Sequence, residues 1–306
     1  MLDICLLGTG GMMPLPNRWL TACLVRYEGS VVLIDCGEGT QITMRRTNWS
    51  FKAIDAICFT HYHGDHIGGL PGMLLTIGNA GRAEPLLLIG PKPLRRIVEG
   101  LLLIAPDLPF PIEYHEIENP DEEILVHGMH IHPFRADHRV LCYGYSVEIM
   151  RQPKFLPEKA MELEIPLPLW KHLQQGETVS DGDRVFTPDQ VLGEARKGLK
   201  FAYCTDSRPK ETIIEGARDA DLFICEGMYG DPEKQKHARD KKHMTFQEAA
   251  RLGRDAGVKR LWLTHYSPSV VNPAEHLHLA QEIFPATEIC RDRREITLRF
   301  EDMQGK

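Results

Sequence analysis

The densest group of reactive side chains lies in residues 59–70, which read FTHYHGDHIGGL. Within six positions this stretch carries His61, His63, Asp65 and His66. Imidazole and carboxylate groups together suit zinc, iron or manganese. A lone histidine in a loop is usually structural, but H-x-H-x-D-H arises by chance in only about one in thousands of chains of ordinary composition. The stretch therefore predicts a metal site.

The neighbouring elements suggest how these side chains could meet. An apolar run precedes them and predicts a strand. Alternate residues of an extended chain project to the same side, so His61, His63 and Asp65 would converge as the strand ends. Gly64 would allow a tight turn, and His66 would enter at the head of the next element.

A metal centre of this kind needs further ligands from elsewhere in the chain. Four residues are too few for two metals and more than one catalytic zinc requires. Three candidates each follow a predicted strand, where side chains of neighbouring strands gather at one edge. They are His138, Asp206 and His265. Near the first of them, His127, His130 or His132 could equally be chosen.

Apolar periodicity predicts a mixture of strands and helices. Strands are predicted at 3–7, 21–27, 31–35, 54–60, 85–89, 123–127, 129–134, 142–149, 199–204, 221–225, 259–264 and 295–300. Helices are predicted at 38–47, 70–78, 92–103, 210–218, 245–256 and 274–283. This order favours an α/β (α+β) chain of layered sheets covered by helices.

Two segments depart from that order. Residues 151–193 are rich in proline, glycine and charge, with two short amphipathic pieces, and are predicted to be an appendage and not a second domain. Gly8, Gly10 and Gly11 follow a strand, as in a dinucleotide-binding loop, but Pro14 stands where its helix should begin. A tight structural turn is the favoured interpretation.

Composition sets the broad class. The 306 residues carry 36 basic and 43 acidic side chains, a net charge of −7, so binding to nucleic acid would need a local basic patch or metal charge. The eight cysteines include no C-x-x-C pair and are expected to be buried free thiols in a reducing compartment. No basic leader precedes the first strand and no apolar run is long enough to span a membrane, so a cytoplasmic protein is expected.

Taken in order along nearly the whole chain, the motifs resemble the metallo-β-lactamase superfamily and, within it, the ribonuclease Z family of tRNA 3′-processing endoribonucleases. The matching stretches are LLGTGG at the start, DCGEGTQ at 35–41, FTHYHGDH at 59–66, GLPG at 69–72, CTDSR at 204–208, CE at 225–226, HMT at 243–245 and LTH at 263–265.

The resemblance implies a four-layer αββα metallo-β-lactamase fold as a single domain over 1–306, with 151–193 as a protruding, degenerate exosite arm. It implies two Zn²⁺ per chain, with Mn²⁺ or another divalent ion possible, and precursor tRNA as the RNA substrate of a homodimer. The first ion would be held by His61, His63, His138 and Asp206. The second would be held by Asp65, His66, His265 and a bridging Asp206.

The same resemblance implies the catalytic groups. Two divalent ions can activate a water molecule and clamp a phosphoryl group. Asp65 would orient or deprotonate that water, or act as a ligand alone. His243 would protonate the leaving oxygen, and Glu226 would hold its imidazole. Without the resemblance, His243 beside two lysines would be interpreted as solvated surface.

Several other functions stay open at this stage. One is a phosphodiesterase of the same fold that acts on small or cyclic nucleotides. A redox enzyme of the flavodiiron branch would have a carboxylate where His63 stands, so zinc hydrolysis is favoured. A catalytically silent RNA-binding relative is disfavoured by the complete ligand set. Because the arm lacks the family's glycine-proline run, phosphodiester hydrolysis is better supported than tRNA as the substrate.

Overall fold

Two β-sheets form the centre of the fold. The computed structural model describes residues 1–300, and within them each of these two sheets has seven strands. The first sheet contains β1 (Leu2–Gly8), β2 (Ala22–Tyr27), β3 (Ser30–Ile34), β4 (Ile54–Cys58), β5 (Leu86–Pro91), β6 (Ile112–Ile117) and β16 (Arg294–Leu298), in the order β16-β1-β2-β3-β4-β5-β6. Strands β3 to β6 run parallel, and the other neighbours pair antiparallel.

The second sheet carries the later half of the chain. It contains β7 (Ile124–Val126), β8 (Met129–Arg135), β9 (Tyr143–Ile149), β12 (Leu199–Cys204), β13 (Leu222–Glu226), β14 (Leu261–Thr264) and β15 (Thr287–Ile289), in the order β15-β14-β13-β12-β9-β8-β7. Strands β12 to β15 are parallel, with Cys204 opposite Cys225 and Glu226 opposite Thr264. The carboxyl ends of β12, β13 and β14 therefore lie side by side at one edge.

Helices cover the outer face of each sheet. On the first sheet lie α1 (Thr40–Met44), α3 (Leu70–Asn79) and α4 (Leu94–Leu102), and on the second lie α7 (Glu211–Ala217), α9 (Phe246–Asp255) and α10 (Leu277–Gln281). Two shorter or more exposed helices are α2 (Gly64–Ile67) and α8 (Gln235–Lys241). The buried hydroxyl of Tyr145 on β9 donates to the carbonyl oxygen of Phe59 at 2.6 Å, which ties the inner faces of the two sheets together. This is the layered arrangement that the resemblance implies.

The described residues divide into two compact units, 1–148 with 200–300 and a second unit of residues 149–199. The second unit contains α5 (Pro157–Glu162), α6 (Leu167–Gln174) and the hairpin of β10 (Val179–Asp181) and β11 (Arg184–Phe186). Its own small core is formed by Ala160, Ile165, Leu173, Phe186 and Val191. The boundaries of this unit lie close to those of the predicted insertion at 151–193.

Local patterns predicted most elements but not all. Strand β6 was not predicted because its sequence, IEYHEI, is half polar and only its last residue is buried. Strands β10, β11 and β15 have three residues each, too few to show a period. The predicted helix at 274–283 is a 3-10 turn, Pro273–His276, followed by α10. Residues 301–306 of the predicted domain lie outside the described residues.

Among residues 1–300, the longest apolar helices are too short to cross a lipid bilayer.

Candidate metal centre

The predicted ligands meet at the carboxyl ends of strands from both sheets. His61 follows β4, Asp206 follows β12 and His265 follows β14. Asp206 and His265 adopt left-handed backbone angles, with φ of 52° and 59°. Residues other than glycine rarely adopt these angles, which cost free energy unless the surroundings impose them. The chain thus turns sharply at these strand ends and directs both side chains inward.

A first group of ligand atoms comes from His61, His63, His138 and Asp206, which lie within coordination distance of one another. His61 Nε2 lies 2.9 Å from His63 Nδ1, and His138 Nε2 lies 3.3 Å from the same atom. Asp206 Oδ2 lies 3.9 Å from His61 Nε2 and 3.7 Å from His138 Nε2. Four atoms around one tetrahedral cation at zinc-like bond lengths would be ~3.4 Å apart, so this spacing fits.

A second group is formed by Asp65, His66 and His265. Asp65 Oδ2 lies 3.7 Å from His66 Nε2 and 3.5 Å from His265 Nε2. The other carboxylate oxygen of Asp206, Oδ1, lies 3.1 Å from His66 Nε2 and 3.0 Å from His265 Nε2. Asp206 therefore turns one oxygen toward each group, as a bridging ligand must.

The buried atoms of the second group fit a cation. Three of them, His66 Nε2, His265 Nε2 and Asp206 Oδ1, are buried and make no hydrogen bond within the described chain. Buried polar atoms without partners are costly, and coordination would satisfy all three. Burial opposes protonation of His265, but Asp206 and Asp65 outweigh it and raise the pKa of His265 to about 10. The two carboxylates of the second group thus favour a positive charge beside them, and the group can hold a divalent metal ion.

The extended-chain argument holds for only part of the opening motif. His63 is still extended, with φ −66° and ψ 152°, but helix α2 begins at Gly64 and carries Asp65 and His66. Asp65 reaches the site from the first turn of a helix because the strand has already ended. Its Oδ2 accepts a hydrogen bond from the backbone N–H of Met12 at 2.7 Å.

Asp35 orients a ligand, a role that the sequence reasoning missed. The buried carboxylate accepts from His66 Nδ1 at 2.8 Å and from the N–H and hydroxyl of Thr60 at 2.8 to 3.0 Å. Because Asp35 accepts the proton on Nδ1, the unprotonated Nε2 of His66 faces the metal centre. His138 is oriented likewise, since its Nδ1 faces the carbonyl oxygen of Lys242 at 3.1 Å. An acidic residue directly after the apolar strand β3 is the sequence signal that could have pointed to Asp35.

Replacing Asp35 with asparagine is expected to weaken metal affinity by ~10–100-fold, the usual cost of losing a carboxylate behind a ligating histidine. Competition against a chelating dye measures the affinity. Asp255→Asn, an exposed change at the end of α9, serves as the control. Thermal unfolding with excess metal separates lost affinity from a lost fold, and a folded Asp35→Asn protein of unchanged affinity would contradict the orienting role.

His243 and Glu226 form a pair beside the two ligand groups. Fully buried Glu226 places Oε2 3.0 Å from His243 Nδ1, and its Oε1 accepts from the backbone N–H of Ser207. Burial opposes protonation of His243, but Glu226 outweighs it and raises the pKa of the imidazole. His243 also approaches Asp206 and His265 closely enough to be a ligand itself. Geometry alone therefore allows two roles for His243.

One short loop after β12 supports both halves of the site. Asp206 joins the ligand groups, Ser207 holds Glu226, and Arg208 donates to the carbonyl oxygen of His243. Arg208 is itself fixed by a two-pronged ion pair with buried Glu248 at the start of α9. The position of His243 is thus tied to that of Asp206 through a rigid loop.

The glycines near the N-terminus serve close packing at this centre. A Cβ atom on Gly11 would lie 2.6 Å from the ring of His265, and one on Gly8 would lie 1.8 Å from the carbonyl oxygen of Leu20. Both separations are far below van der Waals contact. Among the described residues no helix follows the GTGG stretch before α1, which argues against a dinucleotide-binding loop, and its glycines let the backbone pass against a ligand.

Comparison with known proteins decides the family. Ribonuclease Z of Lachnoclostridium phytofermentans is 58% identical over 301 residues, covering 98% of this chain and 99% of that protein. Ribonuclease Z of Agathobacter rectalis is 57% identical and that of Clostridium acetobutylicum 48%, each covering 99% of this chain and the whole of the relative. This chain belongs to the ribonuclease Z family. The family resemblance predicted from the motifs is confirmed.

Family models and solved structures confirm the predicted fold of this ribonuclease Z family member. Residues 189–266 match the β-lactamase superfamily domain, and residues 2–155 match a model described as anti-Pycsar protein Apyc1. The short form of human tRNase Z superposes with a TM-score of 0.69 at 23% identity over 97% of this chain and 100% of that one. The metallo-β-lactamase fold protein YhfI of Bacillus subtilis superposes with the same score at 19% identity, covering 96% of this chain and 98% of that one.

Proposed function

We propose that this chain is a metal-dependent endoribonuclease that hydrolyses the phosphodiester at the 3′ end of precursor tRNA, removing the trailer and leaving a 3′-hydroxyl. Family membership over the full length supports the reaction. The observation that carries it is the pairing of His243 with Glu226 beside a bridged ligand cluster, because cleavage of an RNA diester requires a proton donor for the leaving ribose oxygen.

We further propose that two Zn²⁺ ions occupy the centre. His61, His63, His138 and Asp206 would hold one, and Asp65, His66, His265 and the second oxygen of Asp206 would hold the other. When bound, such ions activate water and neutralise charge on the transferred phosphoryl group. The nitrogen-rich first group favours zinc, although Mn²⁺ suits the second group, which has two carboxylates.

The chain's own groups account for the proton transfers. Asp65 is ionised, since neighbouring His66 and His265 outweigh burial and lower the pKa of its carboxyl. Its Oδ2 is fixed by Met12 and can accept a proton from the attacking water. On the other side, His243 Nδ1 donates to Glu226, which leaves Nε2 to carry the proton that passes to the leaving oxygen.

The direct test is incubation of the metal-loaded protein with a 3′-extended pre-tRNA. Cleavage after the discriminator base with a 3′-hydroxyl on the tRNA supports the proposal. A protein that leaves pre-tRNA intact while hydrolysing small or cyclic nucleotides would instead be the phosphodiesterase considered from the sequence. Elemental analysis of the purified protein identifies the metal, and fractionation of cells tests the expected cytoplasmic location.

Excision of the second unit is expected to separate substrate recognition from chemistry. The ends of the segment are already adjacent, because the N–H of Gly193 donates to the carbonyl oxygen of Lys154 at 2.8 Å, so a short linker can replace 151–193. We expect cleavage of pre-tRNA to fall by more than ~10-fold, since remote binding energy is lost. Hydrolysis of a ribodinucleotide, which the removed unit is not needed to hold, should stay unchanged. Equal losses on both substrates would contradict an exosite role.

The family also suggests a homodimer in which one subunit's arm serves the other's active site. Mixing the excised chain with full-length His243→Ala protein tests this arrangement, because only a mixed dimer would combine an intact arm with an intact site. Restored pre-tRNA cleavage and a dimeric mass by light scattering are expected. A monomer, or a mixture no more active than its components, would reject it.

A further inference from the structure

One wall of the active-site cavity is basic, in contrast to the chain as a whole. The cavity has a volume of about 450 Å³, and besides the candidate catalytic residues its lining includes Arg139, Lys234, His237 and Lys241. We refer to these four exposed residues as the basic wall. The only carboxylates in the same lining are Asp65 and Asp206, both of which face the metal centre.

The charges of the basic wall are not neutralised by the protein. Within residues 1–300, Arg139, Lys234 and Lys241 form no ion pair with a carboxylate, whereas the adjacent Lys242 bonds both oxygens of Asp137 at 3.0 Å. A chain of net charge −7 has ample carboxylates to pair such groups. Unpaired cations gathered at a cavity mouth attract an anionic ligand, and a chain of phosphates is the one that this reaction supplies.

Helix α8 and the residue before it set the spacing of three residues of the wall. Lys234, His237 and Lys241 recur at i, i+3 and i+7, so they share one face over a length of about 10 Å at 1.5 Å per residue. The helix is anchored beside this face, since buried Ala238 packs on Met228 and Tyr229. That length can follow more than one phosphate of an extended strand.

Arg139 joins this face from a different element. Its Nη2 donates to the carbonyl oxygen of Asp240 at 2.7 Å, which connects the loop after β8 to the end of α8. The wall therefore combines the loop that carries His138 with the helix that directly precedes His243.

The position of His243 sets the direction in which RNA would cross the wall. Helix α8 ends at Lys241, and the N–H of His243 donates to the carbonyl oxygen of Ala238 at 2.8 Å, so the candidate proton donor continues directly from the wall. Cleavage that leaves a 3′-hydroxyl expels the O3′ of the last tRNA nucleotide, and that oxygen must face His243. The nucleotides attached to it then lie on the side of α8.

We infer that the basic wall binds the phosphates on the 5′ side of the scissile bond, at the acceptor end of the tRNA, and not the trailer. This inference rests on the proposed function and adds the residues and the polarity of substrate binding. The double variant Lys234→Gln/Lys241→Gln removes two charges of the wall. The matched control is Arg46→Gln/Lys52→Gln, which removes two exposed charges that do not line the cavity.

The experiment measures kcat/KM for pre-tRNA over a range of salt, with all-phosphate RNA and with neutral methylphosphonates at the two linkages either 5′ or 3′ of the cut. For the wall variant we expect kcat/KM to fall about 10-fold or more and the slope of log(kcat/KM) against log[salt] to weaken by ~1.4, or ~0.7 for each lost contact to a single strand. Neutral linkages on the 5′ side should abolish the difference between wild type and variant, whereas those on the 3′ side should preserve it. Hydrolysis of a ribodinucleotide should be unchanged.

Three results would overturn the inference while leaving the proposed function intact. The first is an unchanged salt slope in the wall variant, and the second is a difference that disappears only with neutral linkages on the 3′ side. A loss equal to that of the control pair would also reject it. A wild-type protein that does not cut pre-tRNA at all would reject the proposed function itself, and the inference with it.

Discussion

His243→Ala is expected to lower kcat for pre-tRNA cleavage by ~10²–10⁴-fold while leaving the metal content of the protein unchanged. The imidazole lies 3.0 Å from Glu226 and lines the cavity, so it is placed to protonate the leaving oxygen. A ribodinucleotide also expels a ribose oxygen, and its hydrolysis should fall similarly. Single-turnover kinetics and elemental analysis measure the two quantities.

A diester with a p-nitrophenolate leaving group distinguishes the two possible roles of His243, proton donor and metal ligand. That leaving group needs no proton, so its hydrolysis by His243→Ala should stay close to the wild-type rate. Exposed His278, which does not line the cavity, provides the matched control as His278→Ala. If His243→Ala instead loses metal and hydrolyses all three substrates poorly, then His243 is a ligand with Asp206 and His265, the other role that its geometry allows.

Asp206→Asn is expected to have the largest effect on metal binding. The carboxylate directs one oxygen to each group of histidines, and asparagine offers only one oxygen and no charge. Losing a directly coordinating, bridging anion should cost more than the ~10–100-fold typical of an orienting residue behind a ligand. We expect a stoichiometry below two metals per chain and activity lower by ~10³-fold or more.

Titration calorimetry with Zn²⁺ and elemental analysis test this expectation, with Asp255→Asn as the control. A thermal unfolding curve shows whether the variant keeps its fold. Two tightly bound metals in a folded Asp206→Asn protein would show that the two groups of histidines do not share this carboxylate, and the proposed centre would have to be redrawn.

The strand-end ligands could be predicted because local sequence marks both the strand and the residue that follows it. His265 directly follows the buried strand β14, and Asp206 comes two residues after β12. Apolar periodicity does not show which strands lie side by side in a sheet. The resemblance to a known family supplied that information. The choice of His138 over His127, His130 and His132 came from the same source.

Other features had no local signal. The ion pair of Arg208 with Glu248 joins residues 40 positions apart, and nothing near either one indicates its partner. The approach of Gly11 to His265 is equally nonlocal. The charged run at 234–242 has the pattern of a solvated helix face, and sequence alone could not show that one side of α8 lines a cavity. Asp65 was misplaced on an extended chain because the length of the strand before it was overestimated.

The placement of ligands just beyond parallel strands restricts how chain length can vary. Each strand residue advances the chain by about 3.3 Å and reverses the side on which the next residue lies. Deleting one residue within β12 would therefore withdraw Asp206 by more than the length of a coordination bond and turn it away from the histidines. Insertions and deletions between homologues should accumulate in connections at the opposite ends of these strands, and an alignment of homologues would show whether gaps avoid β12 and β14.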